Sequence, residues 1–147
     1  MKLLITSDVH GEVEKLEAVI KKNKDCEHIL CAGDIGLTNV QIEDNNLIAV
    51  KGNCDYYSNL PLDRILDLGG KKILLTHGHV EQVKYGLEGL FQKAEHLGID
   101  IVVFGHIHYP VLKTINNILF INPGALNDVK GNYAIYEDGV VTFCELG

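Results

Sequence analysis

Short apolar runs recur along the whole chain and predict a protein built mainly from buried β-strands. Each run ends at glycine or polar residues, as strands commonly do. After the first run the pattern changes and predicts a helix, because apolar residues recur at helical spacing with charged residues on the other side. The apolar residues are Val13, Leu16, Val19 and Ile20. The predicted strands cover residues 2–6, 28–32, 47–50, 63–68, 71–76, 101–104, 111–115, 118–121, 133–136 and 140–144.

The segments between these strands predict two further helical stretches and several turns. A second helix is predicted over residues 83–97, and residues 38–44 carry a weaker helical signal. Three dipeptides have hairpin chemistry, namely Gly69-Gly70, Asn116-Asn117 and Asp138-Gly139. Residues 122–125 are predicted to form a loop. The first strand and helix form a βα unit, which typically leads to a parallel strand, so the elements predict an α/β fold.

The composition predicts one domain in a cytoplasmic setting. The chain has 147 residues, which fits a single domain over residues 1–147. Its first apolar run is too short for a signal-peptide core, and no run reaches membrane-spanning length. The net charge of −7 and a single arginine, Arg64, argue against a groove for long nucleic acids. The four cysteines lack C-x-x-C spacing, so we expect unpaired, mostly buried thiols.

Five of the predicted strands end in clusters of metal-binding residue types. The carboxyl ends of parallel strands lie at one edge of a sheet, where binding sites form. We therefore expect these clusters to converge at a single sheet edge. Five of the seven histidines belong to them. The clusters are Asp8-x-His10, Gly33-Asp34, Gly52-Asn53, His77-x-His79 and His106-x-His108.

The residue types in these clusters predict divalent metal binding. In an extended segment residues i and i+2 point the same way, so His106 and His108 can face one pocket. Carboxylate, imidazole and amide groups together suit Mn²⁺, Fe²⁺, Zn²⁺ or Ni²⁺ better than Ca²⁺. Eight candidate ligands exceed what one ion takes, which favours two metals with Asp34 as the natural bridge. Two such ions would give an acidic protein a positive site for phosphate.

The order of these blocks resembles the calcineurin-like metallophosphoesterase superfamily. The blocks occur in the family order over nearly the whole chain: Asp8-x-His10, Gly33-Asp34, Gly52-Asn53-Cys54-Asp55, Thr76-His77-Gly78-His79 and Gly105-His106-x-His108. Within the superfamily they are most similar to the small YfcE-like phosphodiesterase branch. The resemblance implies a four-layer α/β/β/α sandwich of two mixed β-sheets that carries a two-metal site.

The resemblance also implies a role for each site residue. Asp34 would bridge the ions and, with Asn53, belong to the catalytic residues. Cys54 stands where the wider family often has histidine, which leaves the general acid open. We hypothesise that His79 protonates the leaving group or orients the substrate, the alternative being a residue at the rim. The implied ligands are Asp8, His10 and His108 for the first ion, and Asn53, His77 and His106 for the second.

Together the residues and the resemblance predict a divalent-metal-dependent phosphoesterase. A metal-bridging hydroxide would attack phosphorus in line, and the branch favours a small phosphodiester over a monoester. We expect two divalent ions, with Mn²⁺ as the first candidate and Ni²⁺, Fe²⁺ or Zn²⁺ as alternatives. Partners would include neither a membrane nor a long nucleic acid, and a homodimer stays open. The rival hypothesis is a non-catalytic interaction scaffold, which should have lost a ligand, whereas all seven positions are filled here.

Overall fold

A computed structural model describes residues 1–147 and contains ten strands, three α-helices and a short 3₁₀ helix. The helices are α1 (Val13–Lys22), α2 (Asn39–Asp44) and α3 (Glu88–His96), and the 3₁₀ helix is Val83–Tyr85. The strands are β1 (Lys2–Thr6), β2 (His28–Cys31), β3 (Leu47–Ala49), β4 (Asp63–Leu68), β5 (Lys71–Thr76), β6 (Ile101–Val103), β7 (Pro110–Ile115), β8 (Ile118–Pro123), β9 (Asn132–Glu137) and β10 (Val140–Glu145). The ten predicted strands are therefore all present, with ends that differ by at most two residues.

The strands form two mixed sheets of five strands each. The first has the order β10-β9-β1-β2-β3, and the second has the order β4-β5-β6-β8-β7. In the first sheet β1, β2 and β3 are parallel, as the βα unit predicts, and β9 and β10 are antiparallel to their neighbours. In the second sheet β5, β6 and β8 are parallel, and β4 and β7 pair antiparallel at the edges.

Side chains that alternate between the two faces of each central strand create the layers. In β1, Leu3 and Ile5 point into a core between the two sheets, whereas Leu4 points outward towards α1 and α2. In β5, Leu75 points into the same central core, whereas Leu74 points outward towards α3. The two sheets therefore pack face to face, with helices on both outer sides. This confirms the four-layer α/β/β/α sandwich that the resemblance implies.

The predicted hairpins are confirmed, and their turns have the expected backbone. Asn116 and Asn117 both have positive φ, at 46° and 66°, which is the conformation of a type I′ turn. Asp138 and Gly139 share this feature, with φ of 47° and 93°. The weak helical signal before β3 is α2, which begins at a capping box between Thr38 and Gln41.

Two predicted elements differ from the structure. The helix predicted over residues 83–97 is divided, because Gly86 between the 3₁₀ helix and α3 has a φ of 136° that no helix adopts. The loop predicted over residues 122–125 is partly strand, since Asn122 and Pro123 extend β8 by pairing with Val111 and Pro110. Proline lacks a backbone donor but is tolerated here at a strand end beside an edge strand.

Other features of the composition can be compared with the structure directly. None of the helices combines the length and the apolar character that a membrane span requires. All four cysteines are unpaired, as predicted. The expectation that most of them are buried is wrong, because only Cys31 is buried and Cys54 is exposed.

We predict that stability depends on the core between the sheets far more than on the outer edge of the second sheet. Leu75→Ala should lower the free energy of unfolding by about 2–5 kcal/mol, because Leu75 is fully buried and its removal leaves a cavity. Ile65→Ala on edge strand β4, where the side chain is 44% exposed, should cost less than about 1 kcal/mol. Urea denaturation of both variants measures this difference, and equal losses would contradict the face-to-face packing.

Candidate metal centre

Every residue predicted to bind metal follows a strand. The clusters come from the ends of parallel strands in two sheets, so the prediction of a single sheet edge is wrong. They converge because the sheets face each other and their parallel strands end on the same side. Asp8 and His10 follow β1, Asp34 follows β2, Asn53 follows β3, His77 follows β5, and His106 and His108 follow β6.

The first group of ligand atoms belongs to Asp8, His10 and His108. Asp8 Oδ1 lies 3.2 Å from His108 Nε2 and 3.8 Å from His10 Nε2. The ligand atoms of all three residues lie within 4.8 Å of one another, which is compact enough for one ion to contact them together. Asp8 is buried, whereas both histidines are exposed, so this group opens to solvent.

The second group contains Asp34, Asn53 and His77. His77 Nε2 lies 3.3 Å from Asp34 Oδ2 and 2.9 Å from Asn53 Oδ1. The ring of His106 lies beside this group, with its centroid 5.0 Å from that of His77. Asp34 Oδ2 is also 3.8 Å from His10 Nε2. This oxygen therefore lies between a residue of each predicted set, which is where a bridging carboxylate is needed.

Each buried carboxylate has one oxygen held by the protein and another that faces the cluster. Asp8 Oδ2 accepts hydrogen bonds from the Ser7 hydroxyl at 2.6 Å and from the His106 N–H at 3.2 Å. Asp8 Oδ1 is buried and has no hydrogen-bond partner. Asp34 Oδ1 accepts from the Cys54 N–H at 2.8 Å, which leaves Oδ2 for the cluster. Because a buried carboxylate oxygen without a partner is costly, this donor set fits a bound cation.

The His77 ring is oriented by the backbone of the other sheet. Its Nδ1 lies 2.6 Å from the carbonyl oxygen of Ala32, to which it donates a hydrogen bond. The remaining nitrogen, Nε2, faces Asp34 and Asn53, and in the neutral ring it carries the lone pair that a metal ion needs. A metal-binding histidine usually donates its other ring N–H to an acceptor in this way, which fixes the orientation of the ring.

The site concentrates negative charge that no lysine or arginine balances. Asp8 and Asp34 are buried, and their ion-pair partners are histidines alone. Burial raises the pKa of Asp34, but His77, the Cys54 N–H and His10 together more than offset this and hold it well below its usual range. Burial lowers the pKa of His77, but the carboxylates of Asp34 and Asp8 act in the opposite direction, and the net shift is upward. Burial and His77 lower the pKa of His106 to about 4, so that this imidazole is neutral near pH 7, as metal binding requires.

The backbone of the site is unusual. Non-glycine residues rarely adopt a positive φ, and such strain persists mainly where function requires it. The two histidines after β6 share this conformation, so the prediction that they lie in an extended segment is wrong, and their rings reach different groups instead. Five predicted ligands have left-handed φ values: Asp8 (54°), His10 (48°), Asp34 (51°), His106 (74°) and His108 (66°).

Two glycines leave the space that the ligands occupy. A Cβ atom at Gly52 would overlap Oδ1 and the backbone nitrogen of Asp34. A Cβ atom at Gly33 would lie 2.6 Å from His77 Nδ1, and Gly33 also has a φ of 95°. Gly52 therefore lets the loops after β3 and β2 approach each other within the first sheet, and Gly33 lets the loop after β2 approach His77 of the second sheet.

His79 lies beside the cluster but outside both groups of ligand atoms. Its ring centroid is 5.4 Å from that of His77 and 6.2 Å from that of His106. Its Nδ1 is buried without a hydrogen-bond partner. Burial and the neighbouring His77 lower the pKa of His79 below its ordinary value.

The structure also identifies supporting residues that the sequence analysis did not assign. Ser7 holds Asp8, and the buried side chain of Asn122 donates to the Gly105 carbonyl at 2.9 Å, which anchors the loop of the last two histidines. The Cys54 thiol lies within 4.8 Å of ligand atoms of His10 and Asp34. Ser7 and Cys54 directly adjoin predicted ligands, which is the signal that could have found them, whereas Asn122 depends on a contact between distant segments.

Comparison with known proteins identifies the family. The sequence profile of the "Calcineurin-like phosphoesterase superfamily domain" matches residues 1–138. The chain is 35% identical over 127 residues to "Probable metallophosphoesterase YsnB" of Bacillus subtilis, a match that covers 86% of this chain and 75% of that protein. It is 26% identical over 178 residues to "Phosphodiesterase YfcE" of Escherichia coli, with 99% and 92% of the two chains covered.

A solved structure leads to the same family. A conserved protein from Streptococcus pneumoniae, described as a predicted phosphoesterase, superposes with a TM-score of 0.87 at 27% sequence identity. The match covers 99% of this chain and 89% of that one. Sequence, fold and the residue types at the strand ends therefore agree. The chain belongs to the calcineurin-like phosphoesterase superfamily, a family of metal-dependent hydrolases, and its relatives include the YfcE phosphodiesterase.

Proposed function

We propose that this protein is a phosphodiesterase that uses two divalent metal ions to hydrolyse a small phosphate ester. The observation that carries the proposal is the pair of buried carboxylates, Asp8 and Asp34, whose free oxygens face a ring of imidazoles without any lysine or arginine. Family membership supports hydrolysis of a phosphate ester as the reaction. The similarity to YfcE supports a diester as substrate.

The two groups of ligand atoms suggest how the ions would be held. Asp34 would lie between them, since its Oδ2 is close to a histidine of each set. When bound, the ions would withdraw charge from the phosphoryl oxygens and lower the pKa of the attacking water. Mn²⁺ is our first candidate, because these ligands combine oxygen and imidazole nitrogen. The proposed ligands are Asp8, His10 and His108 for one ion, and Asn53, His77 and His106 for the other.

His79 would protonate the leaving group or orient the substrate. It lies next to two proposed ligands, His77 and His106, without belonging to either group of ligand atoms. Cys54 is the weaker candidate for the acid, because burial and the carboxylate of Asp34 raise the pKa of its thiol, which is a poor proton donor near pH 7. Asn53 and Asp34 would act through the ions that they hold.

The remaining parts of the proposal concern the whole chain. Residues 1–147 would form one metallophosphoesterase domain, in keeping with the profile match over residues 1–138. The substrate would be a small ester rather than a long nucleic acid, because a chain with a net charge of −7 and one arginine is poorly suited to neutralise many phosphates. A cytoplasmic location and a homodimer stay predictions.

A non-catalytic interaction scaffold is the alternative function. A scaffold has no need for seven converging ligands, five of which have a strained, left-handed φ here. Because such strain costs about 1–3 kcal/mol at each residue, its retention favours a working metal centre.

We expect hydrolysis to depend on added metal. Protein stripped of metal with a chelator should not cleave bis(4-nitrophenyl) phosphate, and one of Mn²⁺, Ni²⁺, Fe²⁺ or Zn²⁺ should restore cleavage. The diester should be cleaved with a higher kcat/KM than 4-nitrophenyl phosphate. Release of 4-nitrophenolate measures both rates. Absence of turnover with every ion would exclude the enzyme and leave the scaffold.

We also predict that His79→Ala affects substrates according to their leaving group. With phenyl esters, whose leaving group needs a proton, kcat should fall about 100-fold, the range of general acid catalysis. With 4-nitrophenyl esters, whose leaving group departs as an anion, kcat should stay nearly unchanged. His96→Ala on the exposed side of α3 is the matched control and should match the unmodified protein with both esters. Equal losses with both esters would refute an acid role for His79.

A further inference from the structure

A cavity of about 430 Å³ opens beside the candidate metal centre, on the side of Cys54. It is formed by the loop between β2 and α2 and by the loop that follows β3. The same two loops carry the proposed ligands Asp34 and Asn53, so the cavity adjoins the metal centre. The residues that line the cavity are Ile35, Gly36, Leu37, Thr38, Asn39, Cys54, Asp55, Tyr56, Tyr57 and Ser58.

Cys54 connects this cavity to the metal centre. Its thiol lies within 4.8 Å of ligand atoms of His10 and Asp34, and the residue also lines the cavity. Its backbone N–H donates to Asp34. A phosphate held at the metal centre would therefore have one of its ester groups within reach of the cavity.

Hydrogen bonds to a single carboxylate hold the two loops together. Asp55 Oδ2 accepts from the N–H of Gly52 at 2.8 Å and from that of Ile35 at 3.3 Å, and Oδ1 accepts from the N–H of Gly36 at 3.2 Å. Asp55 is only 8% exposed, so its carboxylate accepts hydrogen bonds from the backbone and does not face a ligand. The cavity thus has a fixed wall before any substrate binds, which favours recognition of a rigid group.

The chemistry of the lining suits a flat, uncharged ring with polar edges. Asp55 is the only charged residue among those that line the cavity, so a second phosphate would find no cation there. Tyr56 and Tyr57 are 77% and 100% exposed, although aromatic rings of this size are usually packed against other groups. Their faces are free for stacking, and the exposed amide of Asn39 can hydrogen-bond to ring edges. The volume lies within the range of small-molecule pockets.

We propose that this cavity, lined by Tyr56 and Tyr57, binds the nucleoside of a phosphodiester whose phosphate is held at the metal centre. This inference rests on the proposed function and names the substrate class that it would act on. Stacking of the base on the tyrosines would select nucleoside esters over esters of small alcohols. A nucleoside fits better than a sugar phosphate or an inositol phosphate, because those groups lack a ring face or carry further negative charge.

The nucleoside in the cavity is the ester group that stays on phosphorus. His79, the residue that we propose to assist the leaving group, lies beside His77 and His106. The cavity instead adjoins His10 and Asp34 through Cys54. The two ester groups of the substrate would therefore lie on different sides of the metal centre.

Two diesters with the same leaving group test this proposal. Thymidine 5′-(4-nitrophenyl) phosphate and methyl 4-nitrophenyl phosphate both release 4-nitrophenolate and differ only in the group that is retained. In the metal-loaded protein, the double variant Tyr56→Ala/Tyr57→Ala should lower kcat/KM for the thymidine ester about tenfold, mainly through KM, because stacking on aromatic side chains is lost. The methyl ester should be cleaved as before. Tyr56→Phe/Tyr57→Phe, which keeps both rings, should retain the preference for thymidine.

Controls separate this proposal from the function on which it rests. Tyr85→Ala removes a tyrosine that is 90% exposed on the 3₁₀ helix and should change neither rate. If the double alanine variant loses the same factor with both esters, or nothing with either, the cavity does not bind the nucleoside and the inference is wrong while the phosphodiesterase stands. If the unmodified metal-loaded protein cleaves neither ester, the proposed function fails, and the inference fails with it.

Discussion

The burial of two carboxylates at the junction of two sheets is the constraint on which this site depends. Asp8 is fully buried and Asp34 is 2% exposed, and neither has a lysine or an arginine as partner. Buried charges without compensation are strongly unfavourable, so the surroundings must supply positive charge or hydrogen bonds. The protein satisfies one oxygen of each carboxylate through Ser7, His106 and Cys54 and leaves the other oxygen to the cluster. A divalent cation would supply what the second oxygen lacks.

The four-layer packing is what brings these groups together. Apolar side chains such as Ile5 and Leu75 hold the two sheets face to face. Because parallel strands of both sheets end on the same side, loops from one sheet contact loops from the other. The hydrogen bond from His77 in the second sheet to the Ala32 carbonyl in the first is one such contact, and the absence of a side chain at Gly33 makes it possible. The central core therefore sets the distances within the site, and the local strain of the ligands is the cost of that geometry.

Much of this arrangement could be predicted from the sequence, because it is encoded locally. Apolar runs, hairpin dipeptides and polar residues at strand ends gave the strands and the candidate ligands. Properties that depend on distant segments could not be predicted. The two-sheet sandwich is expected only from the family resemblance, and neither the assignment of each strand to its sheet nor the anchoring of the Gly105 carbonyl by Asn122 has a local signal. The left-handed backbone of His106 and His108 is imposed by the packed site against their own preference, and a φ of 136° at Gly86 divides a segment whose apolar period is otherwise helical.

The number of metal ions bound by each chain tests the central claim most directly. Metal-stripped protein can be titrated with Mn²⁺ by isothermal calorimetry, and the bound metal counted by elemental analysis after removal of free ion. The two groups of ligand atoms predict two ions per chain, and predict that His108→Ala, which removes a ligand from one group only, binds one ion while its fold is retained. A single ion in the unmodified protein, or an unchanged count in the variant, would contradict a two-metal centre.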